Sequence, residues 1–344
     1  MLIGYSFWGF LGTGTHDTPD GGRSHRRPLI DGLRARGHEI VFLQHNRDLD
    51  EAGHDLTGTY RWDAGLPTID ALFLEWRWPI DGRNTTVCGT VGHTCDLHRQ
   101  QHLLAHYTDA GTPTLLWDKD QQLPAHHRLR AMNTVTVCEA ALHPTSGAVR
   151  LLFPVDDHTL DTADPDALIG LSRNLPLVYI GNQYDRDEAF HQYFAPAARS
   201  HEHVVAGKWT RTERWPHVNY LGRLGFDHVD RLYRQALSTV LLLPDRYQRT
   251  GQMTQRLAEA VLAGCLPLTP TTIRDAARFT PPALHVTGGD HTATMITELR
   301  NIAGSARHAD LLRGCLDQLD LFRLSRQLEV IDRVLDAHAG CVAT

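Results

Sequence analysis

The first 44 residues confine the chain to a narrow set of folds. An apolar run, LIGYSFWGF (residues 2–10), leads into the loop GTGTHDTPDGG. A helical pattern follows, SHRRPLIDGLRARG, and then a second apolar run, HEIVFLQ (38–44). Two strands joined through a helix must run parallel, because an antiparallel pair closes through a short turn. The same grammar continues. Strands are expected at 70–76 (DALFLEW), 112–118 (TPTLLWD), 134–139 (TVTVCE) and 149–155 (VRLLFPV), with a helix from Asp96 between two of them. An α/β domain with a mostly parallel sheet is predicted.

Residues 156–176 are polar, acidic and marked by proline, which suits a linker or domain edge. A second α/β series then begins. Strands are expected at LPLVYIGN, EHVVAG, STVLLLP and CLPLTP, and helices at DRDEAFHQYFAPAARS, DHVDRLYRQA and GQMTQRLAEAVLAG. The stretch from Ala309 to Gly340 has apolar positions at helical spacing and should close the chain with one or two helices. At 344 residues the chain exceeds what one core organises. We therefore expect two Rossmann-like domains, residues 1–165 and 166–344, whose strand ends face a central cleft.

Composition removes several function classes. The chain is 42% hydrophobic and 22% charged, with a mean hydropathy of -0.32. No apolar run approaches the roughly 20 residues of a membrane helix, so no membrane insertion is expected. The opening residues lack the pattern of a signal peptide, which points to the cytoplasm. Six scattered cysteines do not form a disulfide framework. A net charge of -6 argues against a protein that coats nucleic acid, although Arg23, Arg26, Arg27, Arg34 and Arg36 form one basic cluster.

Loops after parallel strands are where ligands bind. Gly21 and Gly22 stand at a helix entry, where backbone N–H groups can approach an anion. Gln252, Met253 and Thr254 begin the helix that carries Arg256 and Glu259. A helix N-terminus favours phosphate, an arginine adds a bidentate contact, and a carboxylate can bind a sugar diol. Equally, Arg256 and Glu259 are spaced for an intrahelical ion pair of a few tenths of a kcal/mol. Among acids, LLWDKD places Asp118 and Asp120 at the end of an apolar strand, making them the first candidates for a general base. Glu75, His16, Asp17 and Asp20 are the others.

The D-x-D of Asp118 and Asp120 also fits a cation-binding pair, but DLD (48–50) and DRD (185–187) repeat it, and no metal is inferred. Cys88, His93, Cys95 and His98 carry zinc-capable atoms in a spacing that matches no common structural-zinc motif. His98, His102 and His106 share a helical face that reads as solvated. Trp76 and Trp78 are either a sugar-stacking platform or core.

Three segments together resemble a GT-B glycosyltransferase, similar to glycosyltransferase family 4 and the CgeB-like and exostosin-like branches. They are GGRSHRRPLIDGLRARGHEIVFL, VNYLGRLGFDHVDRLYRQALSTVLLLP and QRLAEAVLAGCLPL, in the family's order across most of the chain. The resemblance implies a nucleotide-diphosphate sugar, such as a UDP-sugar, as donor substrate in the C-terminal domain, no separate cofactor, and an acceptor in the N-terminal domain. It implies that Glu259 binds the donor ribose and Arg256 the diphosphate, with Gly181, Asn182, Lys208, Arg211 and Arg223 bordering the nucleotide. One departure stands out. Retaining members often carry a second glutamate eight residues before the first, where this chain has Gly251.

The expected function is transfer of a sugar to a hydroxyl of a small molecule or glycan. A DNA glycosyltransferase acting on a modified base of phage DNA is an alternative, suggested by the arginine cluster. A nucleotide-sugar epimerase and a non-catalytic nucleotide-sugar binder are further alternatives.

Overall fold

The computed structural model describes residues 1–12 and 23–342. Residues 1–12, 23–154 and the C-terminal stretch from Leu324 form one compact unit, and Val155–Arg323 form a second. The change of unit falls near residue 154, not at 165, because the short helices Asp157–Asp161 and Pro165–Ile169 belong to the second unit. Asp156 and Asp164 cap these helices by accepting amide hydrogen bonds, so the segment expected as a linker is built structure.

The first unit holds seven parallel strands: β1 (Leu2–Ser6), β2 (Glu39–Phe42), β3 (Arg61–Trp62), β4 (Ala71–Glu75), β5 (Thr114–Asp118), β6 (Val135–Glu139) and β7 (Val149–Arg150). Their spatial order is β3-β2-β1-β4-β5-β6-β7. Side chains alternate between two buried faces. Ile3, Tyr5, Phe42, Phe73 and Trp117 pack with Leu29, Ile30 and Leu33 of the helix Arg23–Ala35 and with Leu328 and Ile331 of the helix Leu324–Val342. Val41, Leu72, Leu74 and Leu116 face the other way, onto Leu103, Leu104 and Tyr107 of the helix Asp96–Asp109. The closing helix predicted for the C-terminal domain thus covers the N-terminal sheet. Its apolar stripe fits either sheet, and the chain path decides.

The second unit holds six parallel strands: β8 (Leu175–Ile180), β9 (His203–Ala206), β10 (Tyr220–Gly222), β11 (Ala236–Val240), β12 (Leu266–Pro270) and β13 (His285–Val286), in the order β10-β9-β8-β11-β12-β13. Each unit therefore begins in its centre, grows three strands one way and then reverses. That reversal creates a switch point between β1 and β4 and another between β8 and β11. Strands of two or three residues at the edges, β3, β10 and β13, escaped the sequence pattern, since two residues carry no periodicity.

A half-buried cation, Arg173, ties together helix ends of the second unit. The Arg173 guanidinium donates to the carbonyls of Leu168, Tyr233, Ala236 and Ala263, which lie at or just beyond the C-terminal ends of three helices. Helix C-termini carry unpaired carbonyls and negative partial charge, which the cation offsets. Gly264 closes the helix Gln255–Leu262 at φ +77, and a Cβ there would lie 2.1 Å from the guanidinium. The positive φ just beyond the helix end favours glycine at 264.

Candidate functional site

From the switch point of the second unit to its edge, the adjacent strands β8, β9 and β10 run into or end on a glycine followed by a polar or cationic residue: Gly181–Asn182, Gly207–Lys208 and Gly222–Arg223. Their loops are joined directly. The Lys208 amide donates to Asn182 Oδ1 at 2.8 Å, and the Gly207 amide donates to the Gly222 carbonyl at 2.7 Å. Gln183 Oε1 accepts from the Thr210 and Arg211 amides. Gly207 has φ +138, and a Cβ on it would lie 2.2 Å from the Gly181 carbonyl oxygen. Only glycine permits this approach. The structure thus gathers Gly181, Asn182, Lys208, Arg211 and Arg223 at one sheet edge. Lys208 and Arg223 are exposed, and Arg211 reaches Asp187 at 2.9 Å from the surface.

The helix Gln255–Leu262 begins at Thr254, whose side chain makes no cap bond. The Gln252 and Met253 side chains are buried, and the Gln252 amide donates to the Tyr247 carbonyl. The side chains of these two residues belong to the interior, whereas the expectation for them concerned the helix N-terminus. Arg256 Nη1 donates to Glu259 Oε2, so the intrahelical pair exists. Charge attraction from Glu259 and Tyr233 keeps the Arg256 guanidinium above its ordinary pKa against its burial. The pair leaves one atom over: Glu259 Oε1 is buried and accepts no hydrogen bond among the described residues. A buried unsatisfied acceptor is unfavourable by about 1–3 kcal/mol.

Glu259 also lines a cavity of about 560 Å³ with Phe226, Tyr233, Asp230, Thr159 and Asp164, within the size range of small-molecule sites. Gly251 closes a helix in the left-handed region at φ 61. A side chain there would strain the backbone.

The first unit treats its acids differently. Three neighbouring strands end on Glu75, Asp118 and Glu139, all but excluded from solvent. Glu75 accepts from Arg26 Nε at 2.7 Å, Arg26 Nη2 at 2.6 Å and the Tyr5 hydroxyl at 2.9 Å, and it pairs with Lys119. Asp118 accepts the Gln122 and Leu123 amides at 3.0 and 2.8 Å. Burial pushes its pKa up to about 6, partly opposed by those two bonds. Glu139 accepts from Arg130 at 2.7 Å and from the Thr145 amide.

Glu75 and Asp118, expected as bases, are therefore a buried ion-pair centre and a loop cap. Asp120 is partly exposed. His16, Asp17, Asp20, Gly21 and Gly22 lie outside the described residues. Glu139 was overlooked although it carries the signal that selected Asp118, an acid closing an apolar strand. It lines a polar cavity of about 290 Å³ with Gln121, Gln122 and Arg130.

Other expectations resolve simply. In the arginine cluster, Arg26 is fully buried, Arg27 and Arg34 flank Asp31, and Arg36 pairs with Asp332. Trp76 packs against the core. Asp118 accepts one amide on each carboxylate oxygen. His98, His102 and His106 are all exposed, as a solvated face requires, and His98 also lies with Cys88, His93 and Cys95. Among the described residues no helix is long and apolar enough to cross a membrane.

The sequence matches no family model and no curated protein. Solved structures do match. The β-glucosyltransferase of phage T4, 11% identical, aligns over 98% of this chain and 100% of its own with a TM-score of 0.64. An α-glucosyltransferase solved with UDP-glucose and DNA containing an abasic site is 10% identical, with 97% and 98% covered and a TM-score of 0.61. A glycosyltransferase of avilamycin A biosynthesis is 15% identical, with 93% and 91% covered and a TM-score of 0.55. At such identities the likeness concerns the fold: two successive parallel-sheet α/β units of the GT-B type.

Proposed function

We propose that the chain is a glycosyltransferase that takes a sugar from a nucleotide-diphosphate donor and passes it to a hydroxyl of a small molecule or glycan. The observation that carries this reading is the spare buried oxygen of Glu259, held by Arg256 beside a cavity of about 560 Å³. A ribose diol supplies the donor hydrogen that this oxygen lacks. Arg256, Lys208, Arg211 and Arg223, with the first amides of the helix Gln255–Leu262, then offset the diphosphate charge. That charge grows as the anomeric carbon–oxygen bond breaks, so the same groups stabilise the transition state more than the ground state.

The acceptor oxygen forms its bond to the anomeric carbon as the diphosphate leaves with the bonding electron pair, and the hydroxyl proton passes to a carboxylate or imidazole. Asp120 and the His16 to Asp20 segment are the proposed sources of that base. The strain expected for a side chain at Gly251 favours a single displacement with inversion. Supporting the donor class, T4 β-glucosyltransferase and the α-glucosyltransferase were both solved with UDP-glucose.

DNA as acceptor rests on the existence of DNA-modifying proteins with this fold. The arginine cluster offers it little electrostatic support, because its described members are buried or flanked by acids.

Thermal-shift titration with UDP, GDP and ADP and their glucose conjugates tests the donor site. One base should raise the melting temperature, and Glu259→Ala and Arg256→Ala should abolish the rise. Absence of any shift in folded protein would overturn the reading. With the base known, radiolabelled sugar offered to glycans and to hydroxymethylated DNA identifies the acceptor, and steep loss of transfer with salt marks DNA. Donor binding without transfer or isomerisation would leave a binding protein, and isomerisation without acceptor an epimerase.

A further inference from the structure

Between β4 and the helix Asp96–Asp109 the chain runs through 76–95 without a regular element. Loops of this length inside a domain are uncommon unless something fastens them. One end is fastened by hydrogen bonds. Buried Asn84 accepts from the Ile80 amide and donates to the Trp78 carbonyl and Asp96, while Arg77 pairs with Asp96. The outer part is held by fewer and more local bonds, from the Thr85 and Thr86 hydroxyls to the Ile80 and Arg83 carbonyls and from the Thr94 amide to Arg83, and Val87 and Val91 there are 80% and 99% exposed.

That outer part brings four side chains to one point. The ligand atoms of Cys88, His93, Cys95 and His98 all lie within 4.8 Å of one another. Cys88 Sγ is 4.0 Å from Cys95 Sγ and 3.2 Å from His98 Nδ1. Tetrahedral zinc with Zn–S bonds of about 2.3 Å separates two thiolates by about 3.8 Å, whereas a disulfide needs about 2.05 Å. His93 is oriented as metal-bound histidines are. Its Nδ1 meets Thr86 Oγ1 at 3.0 Å, and its Nε2 is buried without a hydrogen-bond partner. A ring fixed through one nitrogen presents the other as a ligand. Gly89 and Gly92, at φ +89 and +81, make the turns that bring residues 88 and 93 back toward the helix.

We propose that Cys88, His93, Cys95 and His98 bind one zinc ion that pins the 76–95 loop to the start of the helix Asp96–Asp109. Two thiolates with two imidazoles select zinc over magnesium or calcium, which prefer oxygen. Binding releases one proton from each thiol. The loop follows the carboxyl end of β4, next to the switch point of the first sheet, so the ion fixes the shape of a ligand-facing loop and takes no part in bond-making.

The test is metal content of the full chain, expressed with zinc and purified without chelator. About one zinc per chain is expected by mass spectrometry, falling at least about tenfold in Cys88→Ser and His98→Ala and unchanged in Cys138→Ser, a buried thiol elsewhere. Cobalt(II) added to the stripped protein should give the spectrum of a tetrahedral thiolate site. Limited proteolysis should cut within 81–95 only after stripping. Zinc below about a tenth per chain with no tetrahedral cobalt spectrum overturns the proposal, as does a Cys88–Cys95 disulfide in freshly prepared protein. If the variants do not fold, the wild-type zinc content and cobalt spectrum decide alone.

Discussion

The two sheets repeat one strand order, yet the carboxyl ends of their strands are furnished in opposite ways. In the first unit Glu75 is buried with Arg26 and Lys119, and Asp118 and Glu139 are consumed by loop amides and Arg130. In the second, the glycines after three strands leave Lys208 and Arg223 exposed, and the half-buried Arg173 lies among helix C-termini. Charge removed from water must be satisfied internally and then serves structure. Charge left at the surface beside glycine remains available to a ligand.

The comparison breaks most visibly if Glu75 is dispensable. Glu75→Ala leaves Arg26 and Lys119 buried around a missing carboxylate and should destabilise by about 3–5 kcal/mol in urea titration. A loss below about 1 kcal/mol would mean that the buried cluster resembles a surface pair.

Two buried titrating groups sharpen the contrast, because they act in opposite directions on pH. Asp118 has its folded pKa raised from 3.8 to about 6. The folded state therefore holds more protons between those values, and stability falls as pH rises through them, by about 3 kcal/mol in all. Asp118→Asn should remove that fall. His308, in the second unit, has its folded pKa lowered from 6.5 to about 4 by burial and then by the charge of Arg173. Here the unfolded state holds more protons, so stability is lost as pH drops from 6.5 toward 4, by a similar amount. His308→Gln should flatten that limb.

Arg256→Ala removes the hydrogen bond to the part-buried Glu259 carboxylate and should cost about 1–3 kcal/mol. Loss of the nucleotide-induced melting shift in that variant while it remains folded would separate ligand charge from structural charge most clearly. A smaller effect is expected at Gly222, which has φ +73 and open space around its missing side chain. Gly222→Ala should cost about 1–2 kcal/mol through backbone strain alone.

The sequence by itself determined the alternation of strands and helices, the parallel sheets and the corner at Gly264. These are local matters of periodicity, apolar runs and backbone freedom. The helix entry marks Arg256 and Glu259, whereas Gly181, Asn182, Lys208, Arg211 and Arg223 are pointed to by the family resemblance and not by their residues alone. Only the tertiary structure decided what each polar side chain does. Asp118 and Asp120 look equivalent in LLWDKD, yet one is buried as a loop cap and the other reaches solvent. Arg26 and Arg27 are adjacent, and one is fully buried while the other lies at the surface. Cys88, His93, Cys95 and His98 match no common zinc spacing, because their meeting depends on turns at Gly89 and Gly92 rather than on a fixed interval. Residue type sets which chemistry a side chain is capable of. Burial and partners arrive from distant parts of the chain, and they choose which of those chemistries is used.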